Sequence, residues 1–286
     1  MPEIKADSTN NVVRRDDQFA DKTATKIWNE KPSKTNPYIA ESASCHGYDL
    51  VELCTKRSFV DVLFLLFRNE LPTSVEASLL EKLLIVFINP GPRHPATRAA
   101  MNAGVGNTDS SHILPIGLTV LGGSVLGAAE VENCMRWLRK SSRRDPRIIA
   151  KGLLENNLAG EGVGCLAPGF GRHFGGVDEY VQNLVTVFSA ADGTGRIFEW
   201  STFFVEELRR ANYGWLSTGL AAAILCDLGF QPRMGPGIYQ IMSAPGIFAQ
   251  GIEMANKPMT AMPFLDDKDY IIETKKEKNI KMEVTE

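Results

Sequence analysis

Hydrophobic residues recur at spacings of three and four along most of the chain, which is the period of an amphipathic helix. Between Phe59 and Phe67 the apolar positions follow this spacing, and charged side chains occupy the opposite side. The pattern predicts a helix that ends before Pro72. Thr73 and Glu76 then have the spacing of a capping box, a hydroxyl followed three residues later by a carboxylate. A second helix is therefore predicted to begin directly after Thr73.

The same spacing predicts seven further helices. They cover residues 95–104, 111–121, 128–140, 147–157, 178–190, 196–210 and 215–228. Extended chain is indicated only around residues 26–29 and 270–273. With so little strand pattern, the sequence predicts an all-α fold whose helices are joined by short, glycine-marked connections. The helix after Trp215 is apolar on more than one side, so we expect it to be buried on several sides.

Composition and charge exclude several classes of function. The chain has 286 residues, 31 Lys+Arg against 34 Asp+Glu and a formal charge of -3, so it has no general attraction to nucleic acid or anionic lipid. Its five cysteines are widely spaced without a CxxC pair, which predicts neither a disulfide framework nor a metal site. No secretory signal and no apolar run of membrane-spanning length is present. We expect a cytoplasmic protein. Both ends, residues 1–23 and 274–286, are polar and are expected to be flexible.

A glycine-rich segment, residues 169–176, combines four glycines with Arg172 and His173. Such a segment can bring backbone N–H groups close to an anion while its basic side chains supply charge. It is neither a dinucleotide fingerprint nor a Walker loop, because both the spacing and the GK[ST] sequence are absent. The alternative interpretation is an ordinary connection between helices, since glycine first of all permits unusual backbone angles.

A second Arg-His pair, Arg93-His94, lies in a proline-rich turn that precedes a predicted helix. A helix N-terminus favours anions, and an arginine can bind a carboxylate through two hydrogen bonds. The alternative is a surface bend with solvated arginines. Two of the four histidines of the chain lie in these two segments, which favours a functional site.

Eight segments, taken in this order, resemble the citrate synthase superfamily, and in particular its citryl-CoA lyase branch, the C-terminal module of ATP-citrate lyase. The resemblance extends from about residue 24 to 273. It is carried by HGYDLVEL, SFVDVLFLLFRNELPT, GPRHPATRAAMN, GLTVLGGSVLGAAE, GFGRHF, NYGWLSTG, APGIFAQGIEMANKP and MPFLDDKDYIIE. No single motif is decisive, and the order and spacing of the whole set carry the likeness.

The resemblance implies a large and a small helical domain around a cleft, in a chain that pairs as a homodimer. The large domain would comprise residues 24–123 plus 216–273, and the small domain residues 124–215. The family makes or cleaves the carbon–carbon bond between the acetyl unit of acetyl-CoA and oxaloacetate. The implied ligands are therefore a carboxylate and coenzyme A or an acyl-CoA as substrate, without a metal. This chemistry needs a base, donors that polarise carbonyls and cations that hold carboxylates.

Carried over position by position, the resemblance implies a set of site residues. His94 and His173 would be catalytic and would polarise carbonyls. The substrate's carboxylates would be held by Arg93, Arg172 and Lys257. The segment Gly169, Phe170 and Gly171 would contact the cofactor.

The chain departs from the family at several catalytic positions. The family's carboxylate-binding histidine falls on Arg93, and its His-Arg pair is reversed in Arg172-His173. Leu126 occupies the position of a histidine that helps to enolise acetyl-CoA in the synthases. The lyase branch also lacks a histidine at this position, so Leu126 favours a lyase-like interpretation. The family's catalytic aspartate falls on Gly214. Candidates for a replacement carboxylate are Asp178, Glu179 and Glu207.

The motifs resemble the family while the catalytic positions differ from it, and two hypotheses follow. The chain is either a citryl-CoA lyase or citrate synthase-like enzyme acting on a carboxylated acyl-CoA, or a catalytically degenerate CoA- or carboxylate-binding regulatory protein. Loss of a positioned base costs on the order of 100- to 10,000-fold in rate, which is why the second hypothesis stays open.

Overall fold

The computed structural model describes residues 24–157, 164–263, 266 and 268–271. These residues contain eleven α-helices and two small three-stranded sheets. The all-α class predicted from the sequence is confirmed, and the two ends expected to be flexible fall outside the described residues. The chain divides into two compact units, one up to Leu71 and one from Pro72 onward.

The first unit is a small antiparallel sheet followed by two helices. Its strands lie in the order β1, β2, β3, and its elements are β1 (Trp28–Pro32), β2 (Ala40–Cys45), β3 (Tyr48–Asp49), α1 (Leu50–Lys56) and α2 (Phe59–Arg68). Cys45, Leu53 and Leu65 form its buried centre. The extended chain predicted at 26–29 is found in part, since Trp28 begins β1. At 270–273, the described residues Tyr270 and Ile271 belong to no strand.

The second unit contains the other nine helices of the described chain. They are α3 (Ser74–Val86), α4 (Pro95–Val105), α5 (Ser110–Leu121), α6 (Ala128–Ser141), α7 (Pro146–Asn157), α8 (Glu179–Ser189), α9 (Arg196–Arg209), α10 (Ser217–Asp227) and α11 (Gly235–Ala255). Short 3-10 helices occupy Pro232–Met234 and Met259–Ala261. All nine of the helices predicted from periodicity are present, with α2 of the first unit among them, and their boundaries differ by at most three residues.

The predicted start of α3 has the expected side-chain cap. The Thr73 hydroxyl accepts a hydrogen bond from the Glu76 backbone N–H at 3.2 Å, and the Glu76 carboxylate accepts one from the Thr73 N–H at 2.8 Å. Two N–H groups that the helix itself leaves without partners are thereby bonded.

Helix α11, the longest of the second unit, was not predicted. Its sequence contains Gly235, Pro236 and Gly237 at the start and Pro245 and Gly246 in the middle, and these residues disfavour helices in isolation. In the fold, such small residues permit close packing. A Cβ on Gly246 would lie 2.5 Å from the Asn89 Cα, so the missing side chain lets the turn at Asn89 rest on α11.

The second sheet joins the glycine-rich segment to the segment before α10. It consists of β4 (Cys165–Ala167), β5 (Phe170–Gly171) and β6 (Gly214–Trp215), all antiparallel. Phe170 pairs with Trp215, and Gly171 pairs with Gly214. Two segments separated by about forty residues in sequence therefore lie side by side.

Helix α10 is buried along nearly all of its length, as its apolar character predicts. Nine of its residues, Thr218 to Cys226, are buried within the chain itself. Packing inside one subunit therefore accounts for the apolar surface of this helix. The homodimer expected from the family resemblance stays a prediction, as does the division into domains at residues 123/124 and 215/216. No helix of the described residues is long and apolar enough to cross a bilayer.

Candidate functional site

The turn that carries Arg93 and His94 is rigid and anchored to α11. The Asn89 side chain accepts a hydrogen bond from the Gly91 backbone N–H at 2.8 Å and another from the Gln250 side chain at 2.9 Å. Gly91 has φ +88°, which glycine adopts without steric cost. The turn therefore delivers Arg93 and His94 to the start of α4 in a fixed position next to α11.

Three basic side chains surround a cavity beside this turn. Arg93 comes from the turn, Arg98 from the first turn of α4, and Lys257 from the segment directly after α11. The cavity has a volume of about 530 Å³. Its remaining lining consists of Pro92, Met101, Asn102, Met254, Ala261, Met262 and Pro263. No carboxylate is part of the lining, so the cavity has positive charge on apolar walls. We call it the cationic cavity.

The two arginines of the cationic cavity are available for a ligand. Arg93 and Arg98 are exposed, and neither forms a salt bridge with any residue that the structure describes. Lys257 is bonded to Glu253 at 2.6 Å, and this lysine lowers the pKa of the exposed Glu253 carboxyl. The cavity therefore brings together two of the three predicted carboxylate-binding residues, Arg93 and Lys257, and adds Arg98.

His94 has one ring nitrogen that accepts and one that donates. Its Nδ1 accepts from the Ala96 backbone N–H at 3.1 Å and so caps α4. Because Nδ1 accepts, the proton of a neutral ring lies on Nε2, which donates to the Leu126 carbonyl oxygen at 3.0 Å. His94 is thus held in one orientation between α4 and the loop before α6.

The glycine-rich segment is packed tightly into the core. Gly169 has φ +80°, and a Cβ there would lie 2.6 Å from both the Cys134 Sγ and the Gly219 Cα. The Phe170 ring is fully buried and lies 5.0 Å from Trp215 and 5.1 Å from Phe204, measured between ring centroids. Packing alone accounts for these two residues. A cofactor could reach this part of the chain only through its backbone, and the predicted cofactor contacts of Gly169, Phe170 and Gly171 stay a prediction.

Arg172 and His173 follow this packed segment and are partly exposed. The Arg172 guanidinium lies over the Tyr213 ring, 5.1 Å from its centroid. Arg172 does not line the cationic cavity. The His173 ring is half-buried, and its Nε2 is buried without a hydrogen-bond partner among the described residues. Burial lowers the pKa of His173, while the nearby carboxylates of Glu130 and Asp178 act in the opposite direction.

A side chain at Gly214, the position on which the family resemblance places the aspartate, would press against Val177. Gly214 is buried in β6 opposite Gly171, and a Cβ on Gly214 would lie 2.7 Å from the Val177 Cγ1. Leu126, at the position of the synthase histidine, has φ +58°, which is uncommon for a residue with a branched side chain.

The three carboxylates considered as replacements are engaged elsewhere. Glu179 lies 3.7 Å from Arg209, and Glu207 lies 3.0 Å from Arg210. Asp178 caps α8, where it accepts from the backbone N–H groups of Tyr180 and Val181. Of the three, Asp178 is the one whose charge acts on His173.

Glu130, which the sequence analysis did not select, connects the two histidine-bearing segments. It lies in the first turn of α6 and is 7% exposed. Its Oε2 accepts from the Leu126 N–H at 3.2 Å, and its Oε1 accepts from the Gly169 N–H at 3.4 Å. In the sequence, an acidic residue at a helix start indicates only an interaction with the helix dipole. Its burial arises from contacts with residues far along the chain.

A small group of titratable side chains surrounds this carboxylate. Burial raises the pKa of Cys165, whose thiol also contacts Glu130. Burial raises the pKa of Tyr239 to about 12, with a smaller contribution in the same direction from the charge of Glu130. We call Glu130, Leu126, Gly169, His94 and His173 the Glu130 cluster. No group of three or more His, Cys, Asp or Glu side chains within the described residues could hold a metal ion.

At the level of sequence, no protein-family model and no curated protein matches the chain. Solved structures do match. The citryl-CoA lyase of Hydrogenobacter thermophilus superposes with a TM-score of 0.71 at 24% identity, over 89% of this chain and 95% of that one.

Two further structures share the fold. The ATP citrate lyase of Methanothrix soehngenii, solved in complex with citrate and coenzyme A, has a TM-score of 0.70 at 16% identity over 93% of this chain and 44% of that one. This chain therefore spans less than half of that enzyme. The citrate synthase of Thermoplasma acidophilum, solved with carboxymethyl coenzyme A and oxaloacetate, has a TM-score of 0.58 at 15% identity, over 77% of this chain and 58% of that one. The chain thus has the fold of the citrate synthase superfamily, which its sequence motifs had indicated.

Proposed function

We propose that this chain makes or cleaves a carbon–carbon bond between an acyl-CoA and a 2-oxo acid such as oxaloacetate, as a citryl-CoA lyase or a citrate synthase does. The cationic cavity is the observation that carries the proposal. Three basic groups face about 530 Å³ of space without a carboxylate in the lining. This volume lies within the range of about 300–1,000 Å³ typical of small-molecule sites.

The cavity fits a ligand with several carboxylates. Arg93 and Arg98 each offer a planar fork of N–H donors that matches a carboxylate, and Lys257 adds a third charge. Arginine remains protonated at all physiological pH values, so this attraction does not depend on neighbouring groups. Solved relatives of the same fold bind citrate, oxaloacetate and coenzyme A derivatives, which supports the same ligand classes here.

The two histidines supply the groups that the reaction needs. Cleavage of citryl-CoA begins when the hydroxyl loses its proton, after which the carbon–carbon bond breaks, oxaloacetate leaves and the acetyl-CoA enolate takes up one proton. His173 has a buried Nε2 without a partner in the described chain, whereas the Nε2–H of His94 bonds to the Leu126 carbonyl and has to exchange that acceptor for a substrate oxygen. In this proposal they polarise carbonyls and move that proton, while Arg172 binds a carboxylate and residues 169–171 contact the acyl-CoA through their backbone.

The test is turnover by the purified protein. Citryl-CoA, and separately oxaloacetate plus acetyl-CoA, are incubated with the protein, and free CoA, acetyl-CoA and citryl-CoA are quantified by mass spectrometry. We expect conversion in at least one direction and its loss in the double variant Arg93→Ala/Arg98→Ala. Arg136→Ala is the matched control, because Arg136 is an exposed arginine that pairs with Glu132 on α6. Absence of conversion in both incubations would contradict the proposal.

One observation favours the alternative of a catalytically degenerate, CoA- or carboxylate-binding regulatory protein. The resemblance places the family aspartate on Gly214, which carries no carboxylate and where a Cβ would lie 2.7 Å from the Val177 Cγ1. For this alternative, calorimetry would show that citrate or CoA binds while the same protein converts neither substrate mixture. The two readouts together separate the enzyme from the binding protein.

A homodimer is part of the proposal and rests on the family resemblance alone. The chain mass is 31.4 kDa, so a dimer gives about twice that value by light scattering. A mass near that of one chain at micromolar concentration would contradict the dimer.

A further inference from the structure

Glu130 is the only charged side chain among the buried residues that the structure describes. The groups that donate to its carboxylate are neutral, namely the backbone N–H of Leu126, the backbone N–H of Gly169 and the Cys165 thiol. It forms no salt bridge within the described chain. Burial of a carboxylate without a cation is costly, so its presence points to a role beyond packing.

The Glu130 carboxylate controls the position of His94 through Leu126. Leu126 donates its N–H to Glu130 at 3.2 Å, and its carbonyl oxygen accepts from the His94 Nε2–H at 3.0 Å. Leu126 has a positive φ of +58°, and in this conformation its N–H bonds to Glu130 while its carbonyl oxygen bonds to His94. Such a conformation persists only where the surroundings hold it. The contacts to Glu130 and His94 are the surroundings that do so here.

The other carboxylate oxygen reaches the segment that carries His173. Gly169 donates to Oε1 at 3.4 Å, and the tight packing around this glycine prevents it from moving away from α6. The charged groups that face the His173 ring are Glu130 itself and Asp178. The Glu130 carboxylate therefore bonds both to Leu126, the residue that contacts the His94 ring, and to Gly169, in the segment that carries His173.

We propose that Glu130 is a positioning residue that holds His94 and His173 in one acid–base site by hydrogen bonds to the Leu126 and Gly169 backbones. This inference rests on the proposed function, since it assigns how that site is assembled. Glu130 itself does not contact the ligand. The two histidines exchange protons with the carbonyl and hydroxyl groups of the substrate. Glu130 holds the backbone segments that carry or contact them, while the Ala96 N–H that bonds to Nδ1 sets the proton-bearing nitrogen of His94.

The first test measures the imidazoles in the protein without ligand. The chain has four histidines, so ring resonances in nuclear magnetic resonance spectra can be assigned with His94→Gln and His173→Gln. In Glu130→Gln the carboxylate that raises the pKa of His173 is gone, so this pKa falls. The His94 ring resonances also shift, because the charged acceptor that holds Leu126, the partner of the His94 Nε2–H, is lost. Glu132→Gln, a partly exposed position two residues further in α6 that pairs with Arg136, is the matched control and leaves both rings unchanged. Unchanged rings in a folded Glu130→Gln would overturn the inference.

The second test uses activity and separates a positioning role from a structural one. In Glu130→Gln we expect kcat for the acyl-CoA reaction to fall by about 10- to 100-fold, as for loss of a residue that orients a catalytic group. KM changes little, because the cationic cavity is intact, and the acidic limb of the pH profile moves with the pKa of His173. Glu130→Asp restores the charge and recovers part of the rate. Equal losses in Glu130→Gln and Glu130→Asp at every pH would contradict positioning.

A measurement on the wild type covers the case in which Glu130→Gln does not fold. The backbone amide resonances of Leu126 and Gly169 are expected to titrate together, because both N–H groups donate to one carboxylate. Independent titration of the two amides would overturn the inference. This measurement needs no turnover, so a protein without acyl-CoA activity disproves the proposed function while the hydrogen-bond arrangement is still tested on its own.

Discussion

The cationic cavity and the Glu130 cluster differ in almost every physical property. The cavity has positive side chains on exposed backbone turns, and its arginines have no salt-bridge partners in the described chain. The cluster has a negative side chain in the interior, held by neutral donors, and one glycine, Gly169, whose Cβ would lie 2.6 Å from two neighbouring atoms. The difference indicates that the residues that bind the ligand and the residues that position the two histidines lie in separate parts of the fold. Substitutions in the cluster should reduce stability, and those in the cavity should reduce affinity alone.

Gly214→Asp is expected to have the largest effect, and it acts on stability. Its Cβ would lie 2.7 Å from the Val177 Cγ1, and the carboxylate would enter a buried strand. Overpacking costs roughly 1–3 kcal/mol, and burial of a charge without a partner adds to it, so we expect a loss of at least about 3 kcal/mol in the free energy of unfolding. Chemical denaturation measures the loss.

Gly214→Ala separates the two causes, because it adds the Cβ without the charge. A stable Gly214→Asp that also gains cleavage of citryl-CoA would show that this position still accepts the family aspartate. In that case the assignment of an altered acid–base site to this chain would be wrong.

Gly169→Ala tests whether the glycine-rich segment is packed or open. The new Cβ would meet Cys134 and Gly219 at 2.6 Å while φ is +80°, so clash and backbone strain add to about 2–4 kcal/mol of lost stability. Gly175→Ala is the control, because Gly175 has a similar φ of +86° but open space around its Cβ. It should cost only the strain, about 1 kcal/mol. Equal losses in the two variants would show that packing does not distinguish these glycines.

Arg93→Ala is expected to weaken the binding of citrate without a change in stability. Loss of a charge-assisted hydrogen bond costs about 1.5–3 kcal/mol, which corresponds to a roughly 10- to 150-fold higher Kd by calorimetry. Arg172→Ala should have a smaller effect on citrate, because Arg172 stacks on Tyr213 and does not line the cavity. Arg136→Ala again serves as the control. An unchanged citrate affinity in Arg93→Ala would remove the cavity from the site.

The smallest effect concerns pH and comes from His173. Because burial lowers its pKa, the unfolded chain, with a histidine pKa of about 6.5, takes up the proton first as the pH falls. The stability that the neutral ring contributes is therefore present above about pH 6.5 and is lost as the pH falls through the lower pKa of the folded chain. Denaturation between about pH 7 and 5 should show a steeper loss for the wild type than for His173→Gln. Parallel losses would contradict the lowered pKa.

The sequence predicts local features well where the signal is local. The capping box at Thr73 and Glu76 and the apolar period of α2 depend on neighbours in the chain, and both are found. Helix α11 was missed because Gly235, Pro245 and similar residues disfavour a helix, although close packing in the fold requires them. Arg93 and Lys257 were predicted as site residues from motifs, and the structure brings them to one cavity.

The Glu130 cluster could not be predicted as a whole because it depends on a contact between segments that lie far apart in the sequence. The contact of Glu130 with Leu126 spans four residues and is local to the start of α6, whereas nothing near Glu130 in the sequence indicates its contact with Gly169. For the glycine-rich segment, the sequence left open both an anion contact and an ordinary connection between helices, and the anion contact stays a prediction. Its glycines suggested backbone contacts to an anion, whereas packing against Cys134, Gly219 and Gly164 accounts for Gly169 and Gly171.

The central claim is that the cationic cavity holds the carboxylates of the substrate. A crystal structure of the protein with citrate and coenzyme A tests it directly. We expect citrate in the cavity, with carboxylates bonded to Arg93, Arg98 and Lys257. Well-defined citrate bound elsewhere on the chain, with these three side chains free of it, would contradict the account.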